Sequence, residues 1–159
     1  KRFFIYGIAG WGLEIMWTGM GSLLRGDLML SGFSCLWMFP IYGLARFLEP
    51  LHEQLRLWPW YLRGLIWMGA FLTIEYTTGW LLKSILGSCP WNYSGSRFSV
   101  DGLIRLDYAP AWFSAGFLFE RLHDTLIKHS IIDIFWRSLA AVTGHYKIII
   151  EYKKRMSVS

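Results

Sequence analysis

The chain reads as an all-α integral membrane protein: four transmembrane helices in two repeated hairpins, then a C-terminal amphipathic surface helix. Three observations predict this. The 159 residues are 54% hydrophobic and 18% aromatic, with a mean hydropathy of +0.34, more apolar surface than a small soluble domain can hide. Charged residues make up only 17% and cluster between the apolar runs. The chain also repeats itself. Glu14-Ile-Met-Trp-Thr18-Gly19 is echoed by Glu75-Tyr-Thr-Thr78-Gly79, and Glu49-Pro50-Leu51-His52, after Pro40, by Glu120-Arg121-Leu122-His123, after Pro110. Such repeats point to a duplicated two-helix unit.

The elements follow in order. Phe3 to Leu24 carries one charge, Glu14, and is long enough to cross about 30 Å of hydrocarbon. Arg25-Gly26-Asp27 forms a tight turn. Leu28 to Ala45 is uncharged and reads as a second span, kinked at Pro40, which lipid-embedded helices tolerate. Arg46 to Arg63 is a polar connection broken by Pro50 and Pro59. Gly64 to Leu82 is the third span, charged only at Glu75. Lys83 to Arg105 is a long loop with an aromatic-rich turn at Pro90-Trp91-Asn92-Tyr93-Ser94. Tyr108 to Phe119 is a shorter fourth span. The repeat units are then about 3–52 and 64–123, within a transmembrane domain 1–123. Residues 124–159 form the surface helix and a basic cytoplasmic tail.

Four spans put twelve of the sixteen lysines and arginines on the side that holds both termini. The positive-inside rule makes that side cytoplasmic; the localisation expected is that of an integral protein, in a bacterial inner (plasma) membrane. The chain begins with Lys rather than Met, so it is expected to lack its true start, and the first helix, lacking a cleavage site, is expected to be retained. Between Asp124 and Thr143, His129, Ser130, Asp133 and Arg137 fall on one helical face and Ile127, Ile131, Ile134, Phe135 and Leu139 on the other. That pattern suits a membrane surface or a partner helix, with Lys153-Lys154-Arg155 available to anionic lipid. Net charge is +5, but no nucleic-acid-binding motif accompanies it and no nucleic-acid partner is expected. Cys35 and Cys89 lie at different expected depths, so no disulfide is expected.

The candidate site follows from the intramembrane acids, which are costly in lipid and functional by default. Glu14 shares a helical stripe with Gly7, Gly10, Trp17, Thr18 and Gly21, and Glu75 lies at matching depth beside Thr78 and Gly79. The expected substrate-binding set is Glu14, Glu75, Thr18, Thr78, Asp107 and Trp112. The two acids would share a proton or hold a cationic group in a cleft between the hairpins. The alternative is that each acid only hydrogen-bonds a neighbouring helix. The two Glu-x-x-His sequences resemble the ligand set of di-iron bundles, but Glu49 and Glu120 end their helices about 15 Å away along the axis and Pro50 interrupts the first. No metal site or catalytic group is expected, and pairing with Arg46, Arg121 or lipid headgroups at the rim is preferred. No GxSxG, Walker A, HExxH or Cys/His signature is present.

The segments Trp37-Met-Phe-Pro40-Ile41-Tyr42-Gly43, Glu75-Tyr-Thr-Thr78-Gly79, Pro90-Trp91-Asn92-Tyr93-Ser94 and Gly102 to Phe113 together resemble the CmpB-type ABC-transporter permease family. These are small multi-helix membrane proteins with animal relatives known only as transmembrane proteins. The resemblance covers roughly residues 4 to 122, and Glu14, Glu75, Glu49 and Glu120 match acidic positions of the family whereas His52 and His123 do not. It implies a transporter or permease component, or a small-molecule or lipid-binding membrane protein. Its partners would be the bilayer, other membrane subunits or an ATPase. An accessory subunit of a larger complex and a membrane-embedded enzyme using Glu14 and Glu75 as acid and base are the readings from other classes. No cofactor follows from the sequence.

Overall fold

A helix-forming run from Arg2 gives α1 (Arg2–Leu24). The structure, a computed structural model, describes the backbone of residues 1–143 and the side chains through residue 129, together with Ser138. Three short elements follow: α2 (Met38–Gly43), a 3-10 turn (Leu44–Leu48) and α3 (Glu49–Leu55). Next is α4 (Trp60–Leu86), which starts after extended Pro59 and stops at Gly87, left-handed with φ 78°. This is the usual asymmetry of Pro before a helix and Gly after it. A small antiparallel hairpin, β1 (Ser99–Val100) with β2 (Ile104–Arg105), pairs Ser99 with Arg105 and Val100 with Ile104. A 3-10 turn (Leu106–Tyr108) leads into α5 (Ala109–Thr143). Residues 1–120 form one compact unit and 121–159 a second. The expected basic tail, Lys153 to Arg155, lies outside the described residues.

The expectation of four membrane spans is overturned. No helix among the described residues is long and apolar enough to cross a membrane. For α1 and α4 the shortfall is one of apolarity. Each is long, but α1 mixes its apolar residues with Glu14, Thr18, Ser22 and five glycines, and α4 carries Arg63, three threonines, Glu75 and Lys83. The second arm of the first hairpin fails differently. Leu28 to Ala45 is not one helix: residues 28–37 are turns and extended chain.

Local chemistry explains that break. The Asp27 carboxylate accepts from the Met29 and Ser31 N–H groups, at 2.9 and 3.4 Å. It thereby offers the backbone an alternative to the helix. Leu30 is then driven to a positive φ of 55°. The extended chain that follows lies directly on α1. Thr18 Oγ1 donates to the Phe33 carbonyl at 2.9 Å and accepts from the Phe33 N–H at 2.8 Å. A Cβ on Gly32 would stand 2.3 Å from the Ile15 carbonyl oxygen, and one on Gly19 2.9 Å from that of Leu30. Only glycine permits this backbone approach.

The core has two parts. Met38, Ile41 and Leu82 are buried, with Trp11, Tyr42, Ile74 and Trp91 packed around them. Trp67, fully buried, forms the second part: its ring lies 5.0 Å from that of Phe119 and 6.2 Å from that of Phe71. Tyr6 reaches Phe119 from α1 at 5.5 Å. The two parts bring α1, α2, α4 and the start of α5 together and place four glutamates between them.

Candidate functional site

Glu14 and Glu75 occupy equivalent places on α1 and α4, and each carboxylate is met by one hydroxyl from the connection that follows its helix. Ser34 Oγ donates to Glu14 Oε2 at 2.8 Å, and Tyr93 OH donates to Glu75 Oε1 at 3.0 Å. A second polar group comes from the returning segment: the Tyr42 hydroxyl bonds Glu14, and Trp112 presents its indole N–H to Glu75. That last approach does not complete a good hydrogen bond, for Glu75 Oε2 and Trp112 Nε1 are both buried without a partner. Tyr42 feels both carboxylates, which push its hydroxyl pKa well up on top of the effect of burial. The Tyr42 and Trp112 rings lie 6.5 Å apart.

Glu75 is 4% exposed and Glu14 half-buried. Burial pushes the Glu75 carboxyl up to about 7; Tyr93 opposes the rise and the Glu14 charge adds to it. Burial also raises Glu14, against the bonds from Ser34 and Tyr42. The Glu14 charge thus adds to the effect of burial on Glu75, as a like charge nearby does.

The other expected site residues are not gathered there. Thr18 holds the Phe33 backbone. Thr78 bonds back to the carbonyls of Ile74 and Glu75 in its own helix. Asp107 is exposed and ion-paired to Arg105 at 2.5 Å, while Arg105 stacks 4.3 Å from the centre of the Tyr108 ring. Ser34, Tyr42 and Tyr93, which the sequence reading left out of the site, take the places expected for the threonines.

The acids of the two Glu-x-x-His sequences are buried rather than at a rim, at 5% exposure for Glu49 and 8% for Glu120. Arg46 does pair with Glu49, at 2.6 Å, but Arg2 joins it at 2.8 Å, and the Tyr6 hydroxyl bonds the same carboxylate. Glu120 receives the Trp67 indole N–H at 2.7 Å and the Arg63 guanidinium at 3.1 Å, with His52 Nδ1 at 3.7 Å. Arg2 and Arg63, Tyr6 and Trp67, and Glu14 and Glu75 each stand 61 positions apart. The two halves thus build the same arginine–aromatic–glutamate clamp; the constant offset aligns its arginines and aromatics, whereas Glu49 and Glu120 stand 71 positions apart and align only across a gap.

The sequence profile of the family described as "Putative ABC-transporter type IV", ABC_trans_CmpB, matches residues 2–153. The chain belongs to that family. No solved structure matches it. The family's description sets an ABC-transporter-related context, and the side chains supply the chemistry. The clamp acids are already neutralised by arginines. Glu14 and Glu75 have only neutral donors around them.

Proposed function

We propose that this protein is a membrane-associated component of an ABC-type transporter in which Glu14 and Glu75 together bind and release a proton. The observation that carries the reading is the geometry of the two acids: Glu75 is buried with one oxygen lacking a donor, Glu14 is half-buried, and both meet only neutral donors; burial accordingly pushes the Glu75 carboxyl up to about 7. A buried ionised carboxylate with an unpaired oxygen is costly, and a proton removes that cost. Tyr42 and Tyr93 can turn their hydroxyls to donate to a carboxylate or to accept from a carboxylic acid, so either state of the pair is accommodated. Family membership supports partners that include an ATPase and further transport subunits.

Infrared difference spectroscopy across a pH titration tests the proton. A protonated-carboxyl band should titrate near neutrality in the parent and be lost or shifted in Glu75→Gln. If no such band titrates above about pH 5, close to the ordinary carboxylate range, the pair is not a proton site. Native purification followed by subunit mass spectrometry tests the setting. A stoichiometric ATPase is expected, and a stable assembly with no nucleotide-hydrolysing subunit would remove the transport reading.

A further inference from the structure

A second site lies on another face of α4. Tyr76, Trp80, Lys83 and Ser84 follow one another at spacings that stack them along one helical face. Together with Asp101 and Leu103 they line an open cleft of about 410 Å³, within the range of small-molecule sites. Its floor is Leu103, 2% exposed. Its two charges are of opposite sign and differ in how they are held. Asp101 is fixed, because Tyr76 OH donates to its Oδ2 at 2.8 Å. Among the described residues Lys83 has neither ion pair nor hydrogen bond.

The wall that carries Asp101 is built rigidly. Asp101 has a positive φ of 53° and Gly102 one of 73°. A Cβ on Gly102 would stand 2.6 Å from Ser94 Oγ, so glycine is needed both for the backbone and for the space. The Gly102 carbonyl accepts from the Tyr93 N–H at 2.9 Å, and the Leu103 carbonyl accepts from the Trp91 indole at 2.9 Å. Tight anchoring of a strained carboxylate-bearing turn opposite an unpartnered ammonium and an indole, 58% exposed at Trp80, is an expensive arrangement for mere surface.

We propose that this cleft binds a zwitterion that joins an anionic group to a quaternary or primary ammonium, as in a phosphocholine- or phosphoethanolamine-type headgroup. Lys83 and the Ser84 hydroxyl take the anionic end, and Asp101 takes the ammonium, with the Trp80 and Tyr76 rings offering their faces to it. The same chemistry belongs to the headgroup of a zwitterionic lipid or to a small free zwitterion. Leu81, Ile85 and Leu86, exposed in the same last turns of α4 at 50%, 69% and 49%, offer apolar surface to the acyl chains of the former.

The test is calorimetric titration of the full chain in detergent with three probes: free phosphocholine, monomeric short-chain phosphatidylcholine and short-chain phosphatidylglycerol. Saturable binding of a choline probe is expected, with phosphatidylglycerol at least tenfold weaker. Short-chain phosphatidylcholine binding far better than phosphocholine assigns the lipid source, and equal binding assigns the free one. Lys83→Gln and Trp80→Ala should each weaken the choline probe about tenfold. Asp101→Asn, which keeps the acceptor to Tyr76 and suits a positive φ, should erase the preference over phosphatidylglycerol. Equal binding of all three probes, no saturable binding, or variants that bind like the parent with unchanged circular dichroism would each overturn the assignment.

Discussion

A carboxyl group that titrates at about 7 in the folded chain and at 4.5 in its ordinary state ties the stability of this protein to pH. Across that interval folded Glu75 holds a proton that the unfolded chain releases. Its stabilising contribution is therefore complete below about 4.5 and is lost as pH rises through about 7, amounting to at most about 3 kcal/mol. Glu75→Gln removes this dependence while keeping size and hydrogen bonding. Denaturation from about pH 5 to about pH 8 should show the parent losing stability relative to the variant, and parallel curves would sink the idea. Glu14, raised in the same direction, leaves a residual slope. Trp67 offers a second test, because its indole N–H is a donor to buried Glu120. Trp67→Phe removes the donor and opens a cavity, and should cost about 2–4 kcal/mol by urea unfolding. The acids were legible as single letters in apolar runs. Their hydroxyl partners were not, because Ser34, Tyr42 and Tyr93 are common residues whose role depends on which loop folds back onto which helix.

At the scale of elements, α1 and α4 were legible as long apolar runs carrying one acid each, Phe3 to Leu24 and Gly64 to Leu82, although α4 extends at both ends to Trp60 and Leu86. The second arm of the first hairpin was not. Apolar composition from Leu28 to Ala45 suggested a span, yet the Asp27 turn and Gly32 make the chain run extended over α1. Thr18 is the staple of this arrangement, supplying the Phe33 backbone with both a donor and an acceptor. Thr18→Val keeps the shape and removes both bonds, so about 1–3 kcal/mol should be lost on unfolding, with Thr18→Ser close to the parent. Gly32→Ala forces a Cβ to within 2.3 Å of the Ile15 carbonyl oxygen and should be at least as damaging. If Gly32→Ala unfolded like the parent, the extended segment would not lie on α1 as described. The same staple explains why Thr18 does not line the acidic site: its hydroxyl is already satisfied by backbone.

For the whole molecule, the repeat is a pattern of interactions more than of helices. Arg2, Tyr6 and Glu49 in one half, and Arg63, Trp67 and Glu120 in the other, form equivalent clamps, although the second arms differ in form. Composition overstated the case for spanning helices. It was a sound guide to surface chemistry, since Phe4, Ile8, Met16, Met20 and Leu24 make a stripe at helical spacing along α1, each between 59% and 88% exposed. An apolar stripe of that length on a folded protein marks a surface covered by lipid or by another chain. Met16, 65% exposed, is the place to test it, because a charge there has open space and disturbs no side-chain bond of Glu14 or Thr18. On a water-facing helix Met16→Glu would change stability by less than about 0.5 kcal/mol. On a covered face the buried charge would weaken association by several kcal/mol. In membrane fractions collected by sedimentation, the parent should pellet and Met16→Glu should be depleted at least about tenfold, the ratio that 1.4 kcal/mol corresponds to. Circular dichroism of the purified variant would confirm that its helices persist. A variant that pelleted as the parent does would show that this stripe is not a covered surface.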